Sequence, residues 1–378
     1  MPEFISFQFI RMKYYIIAGE ASGDLHGSNL IKQIHLQDKQ ADIRCWGGDK
    51  MEAAGATLVK HYRQLAFMGF AEVLMNLRTI LNNLAFCKKD IEAFKPDVIV
   101  LVDYPGFNLR IAKWAKPLGY KVAYYISPQV WAWKENRVKM MKQCIDLMMV
   151  ILPFEKDYYK NKWQWPVAYV GHPLVQTIQE FQPRITSFSD KPIVAVLPGS
   201  RKQEINVKLP VMLEVSKRFP QYQFIVAMAP GTDESFYQQF VSRYPNVSCV
   251  GGLTYELLKT ATAALVTSGT ATLETALFGV PQVVCYKGNP ISYAIAKRLI
   301  TIKYISLVNL IMDKPVVTEL IQHDMNVEAI SKELDAILND KGNIQRIKKD
   351  YEDLFALLAA GGNASATAAS HISKLVGA

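Results

Sequence analysis

The sequence has few cysteines and no long apolar run. Five cysteines occur among 378 residues, and no pair has the spacing of a zinc site. Their odd number and wide separation are typical of reduced, buried thiols rather than of a disulfide framework. No apolar run approaches the roughly 18 residues that a membrane-spanning helix needs. These absences favour a reduced, cytosolic protein without a structural metal site.

The amino-terminal segment lacks the features of a secretory signal. Residues 1–11 have neither a basic start nor an apolar stretch ahead of a cleavage site. Met12 stands directly before an aromatic and β-branched run. We therefore expect residues 1–11 to be a dispensable extension and the fold to begin with that run.

Acidic residues are fewer than basic ones. The chain has 43 lysines and arginines against 34 aspartates and glutamates, a formal net charge of +9. This excess favours an anionic partner: nucleic acid, an anionic lipid surface or a phosphorylated substrate. The sequence has no zinc finger, no aromatic RNA-binding signature and no basic run of the nucleic-acid type, so we expect no nucleic-acid partner.

Short apolar runs alternate with helical patterns along the chain, which indicates repeated β-α-β units. Several runs are apolar at nearly every position, as in strands buried on both faces of a parallel sheet. The predicted strands are 13–18, 43–46, 98–102, 121–126, 147–152, 167–170, 193–197, 223–228, 247–250, 263–267 and 282–286.

A polar stretch interrupts this series. Residues 176–192 contain two prolines and are predicted to link two domains. The prediction is an α/β fold of two Rossmann-like, doubly wound domains, 12–175 and 192–325, facing a ligand cleft. Helices are predicted over 326–378, and the sequence leaves open whether they return to the first domain.

Two loops of the first predicted domain carry carboxylates at strand ends. Two glycines in the turn after strand 13–18 allow close approach to a ligand, and Asp24 as a helix cap is the alternative interpretation. Asp103 follows strand 98–102, where a carboxylate can act as a general base on an alcohol. Capping of the next turn is the alternative for Asp103.

A tryptophan-rich loop and a basic helix follow in the same domain. Trp131 and Trp133 can stack on a sugar face or pack as anchors. Arg137 and its neighbouring lysines can meet a phosphate, although a solvated helix face is the more frequent explanation for such a run.

Strand 193–197 of the second domain runs into a glycine-serine turn. Ser200 and Arg201 follow the turn, and Glu204 lies three residues further on. A guanidinium there suits a pyrophosphate, because its planar fork gives two charge-assisted hydrogen bonds and the helix amino end adds a favourable dipole. A capping box that starts from Ser200 is the alternative.

The turn after strand 263–267 is the strongest nucleotide signal in the chain. Its small residues open a helix and expose free backbone N–H groups, a ready phosphate site. They are Ser268, Gly269, Thr270 and Ala271. Glu274 lies within the first turns of that helix, placed to accept hydrogen bonds from ribose hydroxyls. Asn309, further along, can hydrogen-bond a ligand.

Residues 66–86 form an apolar helical stripe. Core packing is the ordinary explanation for such a stripe, but an exposed apolar patch with basic neighbours suits a membrane surface or acyl chains. One face of the predicted helix carries Phe70, Val73, Leu74, Leu77, Leu81 and Leu84, and Phe67 and Met68 lie ahead of it.

Taken in order, these motifs resemble the lipid-A-disaccharide synthase family, inverting glycosyltransferases of the two-Rossmann-domain type called GT-B. The resemblance runs from about Lys13 to about Asn309. The segments that carry it are Ala18–Asp24, Phe67–Val73, Asp103–Asn108, Tyr125–Trp133, Leu152–Glu155, Gly171–Pro173, Leu197–Arg201 and Ser268–Glu274.

The resemblance implies a reaction. UDP-2,3-diacylglucosamine donates its sugar to 2,3-diacylglucosamine 1-phosphate, a β-1,6 bond forms and UDP leaves. One inverting displacement needs a single base, for which Asp103 is the candidate, unlike the two carboxylates of most glycoside hydrolases. Glu20 and Asp24 are expected to shape the acceptor side or to assist the base.

The resemblance also assigns the nucleotide side. Ser200, Arg201 and the 268–271 turn are expected to hold the diphosphate, and Glu274 the ribose. Asn309 stands at a position that the family also uses, although Val308 replaces the proline expected before it. Enzymes of this type generally need no metal ion, and no cofactor is expected.

The family's members are peripheral membrane proteins. The resemblance therefore favours membrane contact for the first half of the 66–86 stripe and an acceptor-side role for Trp131 and Arg137. It implies a cytoplasmic location on the inner membrane of a Gram-negative-type bacterium, where positive charge meets anionic headgroups and the acceptor phosphate. A homodimer is allowed, and the sequence does not choose an oligomeric state.

Two other kinds of protein fit parts of the pattern. One is another UDP-sugar enzyme of the same fold, such as a UDP-N-acetylglucosamine 2-epimerase or the transferase that builds peptidoglycan lipid II. The other is a non-catalytic protein that binds a nucleotide sugar or a lipid. The combination of Asp103 with Arg201 and Glu274 argues against the second kind.

Overall fold

The structure is a computed structural model that describes residues 11–65, 77–184, 186–289, 293 and 303–377. The chain divides into two compact units. The first unit contains the residues up to Pro173 and the segment from Ala359 onward, and the second contains Leu174–Leu358. The helices predicted at 326–378 are thus divided between the units.

The first unit is built on a seven-stranded sheet whose paired strands are all parallel, in the order β3-β2-β1-β4-β5-β6-β7. Its strands are β1 Lys13–Ala18, β2 Asp42–Gly47, β3 Thr57–His61, β4 Val98–Val102, β5 Lys121–Tyr125, β6 Leu147–Val150 and β7 Ala168–Tyr169. Its helices up to the boundary are α1 Ala21–Gln37, α2 Asp49–Ala53, α3 Leu77–Phe94, α4 Pro105–Ala115, α5 Arg137–Cys144 and α6 Pro153–Trp163, with 3₁₀ turns at Tyr62–Gln64 and Lys116–Leu118.

The second unit repeats this plan with a six-stranded parallel sheet in the order β10-β9-β8-β11-β12-β13. Its strands are β8 Ile193–Leu197, β9 Gln223–Met228, β10 Val247–Gly251, β11 Ala263–Thr267, β12 Gln282–Tyr286 and β13 Thr318–Ile321. Its helices are α7 Pro173–Gln179 (starting at the boundary), α8 Lys202–Glu214, α9 Glu234–Val241, α10 Thr254–Thr260, α11 Thr270–Leu277, α12 Leu307–Met312, α13 Val327–Asn339 and α14 Lys341–Ala359 (ending at the boundary), with a 3₁₀ turn at Val215–Arg218.

The central strands explain why the sequence predicts this architecture. Every residue of β4, β8 and β11 is buried, as continuous apolar runs require when helices cover both faces of a sheet. The strand order reverses between β1 and β4 in one sheet and between β8 and β11 in the other. Ligands of doubly wound sheets bind outside the carboxyl ends of the strands at such a point. The predicted α/β class with two doubly wound units is confirmed.

Two edge strands are missing from the sequence-based assignment. β3 and β13 each lie at the border of a sheet, and most of their residues are partly exposed. A strand covered on only part of its surface needs no continuous apolar run, so neither strand stands out from its neighbours in the sequence.

The last helix, α15 (Ala364–Val376), belongs to the first unit. Ala368, Ala369 and Ile372 are buried in the same core as Leu30 and Ile31 of α1. Small side chains on α15 allow close packing against α1. The end of the chain thus stabilises the unit in which the chain begins.

Candidate active site

The turns after β1 and β4 lie beside each other in the first unit. Ala18 pairs with Val102, the last residues of the two strands. Glu20 and Asp103 therefore leave the sheet at the reversal of strand order, where such folds bind ligands. The structure brings these two predicted site residues together.

Asp103 is held in a strained backbone conformation. It and Tyr104 have φ angles of 45° and 49°, in the left-handed region that residues other than glycine seldom adopt. The carbonyl oxygen of Asp103 accepts hydrogen bonds from the Tyr124 hydroxyl at 2.6 Å and the Asn108 amide at 2.7 Å. Its N–H donates to the Tyr125 carbonyl at 3.0 Å. Both main-chain groups are thus fixed by the structure around them.

The Asp103 carboxyl is poised to exchange a proton near neutral pH. Burial and, to a smaller extent, the charge of Glu20 raise its pKa to about 6, and a hydrogen bond from the Tyr104 backbone opposes both. A carboxylate with a raised pKa at the end of a buried strand is suited to general-base catalysis. The alternative interpretation, a helix cap, does not apply, because Tyr104 occupies the cap position of α4.

Asp24 has a different environment from Asp103. It is a buried residue of α1, and its carboxylate accepts hydrogen bonds from the backbone N–H groups of Gly48, Lys50 and Met51 at 2.7–3.2 Å. These groups belong to the start of α2, where a carboxylate offsets free N–H groups and the helix dipole. Asp24 thus caps a helix distant in sequence, and its carboxylate is already occupied.

Trp131 is tied to a buried carboxylate. Its indole N–H donates to Glu155 at 3.1 Å, and its ring packs edge-on against Phe154. Burial raises the pKa of Glu155 to about 7, although hydrogen bonds from Leu152 and Trp131 oppose the shift. Arg137 is the first residue of α5. Burial raises the pKa of Tyr124 well above its usual value, and the charge of Arg137 partly opposes this shift. Both predicted acceptor-side residues thus have partners on neighbouring elements.

Seven of the nine predicted nucleotide residues line one cavity of about 310 Å³ in the second unit, whereas Arg201 and Asn309 do not line it. The turn after β8 and the turn after β11 both contribute to its wall. The predicted residues that line it are Ser200, Glu204, Ser268, Gly269, Thr270, Ala271 and Glu274. The loop after β9 adds Ala229 and Pro230, which the sequence analysis missed although they too follow a predicted strand.

Glu274 is held by an aromatic cluster. It accepts a hydrogen bond from the Tyr255 hydroxyl at 2.9 Å, and the Tyr255 ring packs against Phe181 and Phe278. Burial raises the pKa of Glu274, and the bond from Tyr255 lowers it. Its second carboxylate oxygen accepts no hydrogen bond from the described residues and can accept one from a ligand hydroxyl.

Arg201 lies at the cap position of α8 with 69% of its side chain exposed. Its guanidinium is 3.5 Å from one carboxylate oxygen of Glu204, and the ammonium of Lys208 is 3.6 Å from the other. The capping box predicted as the alternative is absent here, because Arg201 rather than Ser200 is the cap residue and its side chain makes no capping bond.

Asn309 is a buried structural residue. Its amide donates to Val317 and Glu319 at 2.8 and 2.9 Å, and its side-chain oxygen accepts from the Val317 N–H at 2.9 Å. Glu319 also accepts from the backbone of Ile305, whose carbonyl receives the Ser268 hydroxyl at 2.7 Å. Asn309 thus supports the turn that braces Ser268, and its predicted contact with a ligand would require these bonds to open.

Only part of the predicted apolar stripe at 66–86 lies within the described residues. Phe67, Met68, Phe70, Val73 and Leu74 lie outside the described residues, and Leu77 is the first residue of α3. Further along α3, Leu81 and Phe86 are 54% and 47% exposed, whereas Leu84 is buried.

Within the described part of the chain, no group of three or more His, Cys, Asp or Glu side chains could hold a metal ion. No helix there is long and apolar enough to cross a membrane.

The fold matches those of solved glycosyltransferases and related enzymes. One is the glycotransferase of kitacinnamycin, with a TM-score of 0.67, 13% identity, and coverage of 97% of this chain and 99% of that one. Another is the UDP-GlcNAc 2-epimerase from Neisseria meningitidis bound to UDP-GlcNAc, with a TM-score of 0.65, 12% identity and coverage of 97% and 100%. Two parallel sheets flanked by helices, together with these neighbours, define the class as GT-B.

Sequence comparison identifies the family within this class. The profile of the lipid-A-disaccharide synthetase family matches residues 14–374. The chain is 40% identical to the lipid-A-disaccharide synthase of Syntrophus aciditrophicus over 351 residues, 90% of this chain and 91% of that one. It is 38% identical to the enzyme of Geobacter metallireducens over 358 residues, 92% and 93% of the two chains. The chain belongs to the lipid-A-disaccharide synthetase family and is a bacterial glycosyltransferase of lipid A biosynthesis.

Proposed function

We propose that the protein transfers 2,3-diacylglucosamine from UDP-2,3-diacylglucosamine to 2,3-diacylglucosamine 1-phosphate, with Asp103 as the base. One observation carries the catalytic assignment: a buried carboxyl at the end of β4, with its backbone fixed by Tyr124 and Asn108 and its pKa raised to about 6 by burial. Such a group is ionised at neutral pH and still basic enough to accept a proton.

The reaction is one in-line displacement. The acceptor 6-hydroxyl attacks the anomeric carbon of the donor as Asp103 accepts its proton. The bond from the anomeric carbon to the diphosphate oxygen breaks, and UDP leaves with the electron pair. The configuration inverts, so a β-1,6 bond forms without a covalent enzyme intermediate. Glu20 lies close enough to raise the pKa of Asp103 and is proposed to tune this base.

The 310 Å³ cavity of the second unit is proposed to bind UDP. Its Ser268–Ala271 turn offers backbone N–H groups to phosphate, and Glu274 offers a carboxylate oxygen to ribose. Arg201 is proposed to stabilise the charge that develops on the leaving diphosphate. We propose that these groups suffice without a metal ion, so that turnover persists in excess EDTA.

The exposed apolar side chains of α3 support association with a membrane surface. Leu81 and Phe86 are exposed on a helix that also carries Lys88 and Lys89. An apolar face beside basic residues suits the interface of an anionic bilayer. We propose peripheral binding to the cytoplasmic face of the inner membrane, where both acylated sugars would be found.

The direct test incubates the protein with the two acylated sugars and follows the products by mass spectrometry. A disaccharide 1-phosphate and one equivalent of UDP are expected. The pH dependence of kcat/KM should rise through an apparent pKa of about 6, because only ionised Asp103 accepts the proton. UDP binding without any disaccharide would overturn the proposed reaction.

A further inference from the structure

A second cavity of the same unit, of about 860 Å³, is separate from the proposed nucleotide cavity. Glu204 lines both cavities, whereas Arg201, Lys287 and Gln322 line only the larger one. Its volume is within the range of small-molecule sites. Nothing in the reaction described above uses Lys287 or Gln322.

Gln322 lines this cavity and carries a buried donor, its side-chain nitrogen, without a partner among the described residues. Its backbone has a φ of 54°, in the left-handed region, and its N–H donates to the Tyr286 carbonyl at 2.7 Å. Buried donors without a partner are rare and costly, and strained residues cluster at ligand sites. Gln322 therefore has the properties expected of a residue that donates a hydrogen bond to a ligand.

The charges of the cavity favour an anion. Lys287 lines it and has no carboxylate partner within the described ranges, and Arg201, which is proposed to meet the leaving diphosphate, borders the same space. The charge of Glu204 is opposed by Lys208, which is almost fully buried and 3.6 Å away. Two cations and Gln322 thus line the cavity, and Glu204, its one carboxylate among the described residues, is paired with Lys208. Phosphate is the anion that such donors suit best.

We propose that this cavity is a phosphate subsite distinct from the nucleotide cavity, and that its ligand is the 1-phosphate of the acceptor sugar. The choice of the acceptor rests on the proposed function. The same chemistry could be supplied by the diphosphate of the nucleotide or by an anionic phospholipid headgroup, and the experiment separates these sources.

The test compares Lys287→Met and Gln322→Met with Lys259→Met, which removes an exposed lysine of α10 outside the cavity. The KM for the phosphorylated acceptor should rise about tenfold or more in the two cavity variants, the expected loss for one charge-assisted hydrogen bond. UDP affinity, measured by calorimetry, should remain unchanged in all three. With the acceptor that lacks its 1-phosphate, wild type and Lys287→Met should be equally poor.

Three outcomes would overturn this assignment. A parallel loss of UDP affinity would make the cavity part of the nucleotide site. An equal rise in KM for the acceptor without phosphate would remove the phosphate from the explanation. Loss of binding to phosphatidylglycerol vesicles with an unchanged acceptor KM would assign the cavity to lipid headgroups.

A direct binding measurement tests the subsite independently of the proposed reaction. Glucosamine 1-phosphate is titrated into UDP-saturated protein by calorimetry. Binding to wild type that Lys287→Met abolishes and Lys259→Met retains supports the subsite even if no disaccharide forms. Equal binding to wild type and Lys287→Met contradicts it even if turnover is normal.

Discussion

The Tyr124 hydroxyl donates a hydrogen bond of 2.6 Å to the carbonyl oxygen of Asp103. Tyr124 belongs to β5, which is paired with β4, and its side chain is fully buried. Burial and the nearby charge of Asp103 raise its pKa well above the usual value, so it remains a donor at all relevant pH. The backbone of the proposed base is therefore held by the neighbouring strand.

Asp103→Asn should abolish transfer and stabilise the protein at alkaline pH. The folded-state pKa of about 6 lies above the usual 3.8, so ionisation of the buried carboxyl opposes folding above pH 6. Asparagine removes that cost and tolerates the left-handed backbone. The gain in unfolding free energy should reach at most about 3 kcal/mol at pH 8 and disappear as the pH falls through 6 towards 4.

Urea denaturation at pH 8 and pH 4 measures the difference in unfolding free energy between Asp103→Asn and wild type. Calorimetry should give the same affinity for UDP in both. Asp157→Asn, at an exposed position of α6, is the control and should change neither stability nor turnover. If Asp103→Asn retained most of the turnover, Asp103 would not be the base.

Gly19→Ala should disrupt the active site, whereas Gly106→Ala should be tolerated. A Cβ at Gly19 would overlap the ring of Tyr104, the residue after the proposed base, whereas a Cβ at Gly106 meets nothing within 4 Å. Displacement of Tyr104 moves the strained Asp103 backbone with it. We expect a fall in kcat of about a hundredfold or more for Gly19→Ala, in line with the cost of a 1 Å misplacement.

Steady-state kinetics measure kcat for Gly19→Ala and Gly106→Ala, and calorimetry measures their affinity for UDP. UDP is proposed to bind in the second unit, so its affinity should be unaffected by either change. Equal kcat values for the two variants would show that the fit of Tyr104 over Gly19 does not position the base.

The sequence predicts the central strands well for a physical reason. The bounds of β1, β4, β8 and β11 agree with the predicted runs, because strands covered on both faces must be apolar throughout. Carboxyl-end loops follow directly from those bounds, so the sequence predicts correctly that Asp103 and the 268–271 turn lie at strand ends. The edge strands β3 and β13 carry no such signal.

The residues that hydrogen-bond and position Asp103 and Glu274 could not be predicted in this way. Tyr124 reaches Asp103 from the neighbouring strand, and Tyr255 reaches Glu274 from another helix. Such pairs depend on sheet register and helix packing, which no local pattern encodes. The partners of Asn309 were equally hidden, because Glu319 belongs to the edge strand β13 and Val317 directly precedes it.

Asp24→Ala should destabilise the first unit without changing the chemistry. It leaves the N–H groups of Gly48, Lys50 and Met51 without their acceptor. Buried donors that lose a charged acceptor cost about 1–3 kcal/mol each, so we expect a loss of at least about 3 kcal/mol of unfolding free energy. Asp24→Asn keeps one acceptor oxygen and should therefore lose less unfolding free energy than Asp24→Ala.

The decisive readout for Asp24 is turnover per folded molecule at low temperature. This value and the acceptor KM should match those of wild type in both variants. A large fall in kcat in fully folded Asp24→Asn would instead place the Asp24 carboxylate in the acceptor site.

Leu81→Ser should weaken binding to anionic vesicles, whereas Leu36→Ser should not. Both leucines are exposed, at 54% and 71%, but Leu81 is on α3, which carries Lys88 and Lys89, and Leu36 is on α1. Losing one leucine from an apolar contact costs about 1.5–3 kcal/mol, a fall of roughly tenfold or more in vesicle affinity. Cosedimentation with phosphatidylglycerol vesicles at two salt concentrations measures it, since headgroup attraction weakens with salt. Equal affinities of the two variants would place the membrane contact away from Leu81, and a lower unfolding midpoint for Leu81→Ser would show that this side chain packs in the protein.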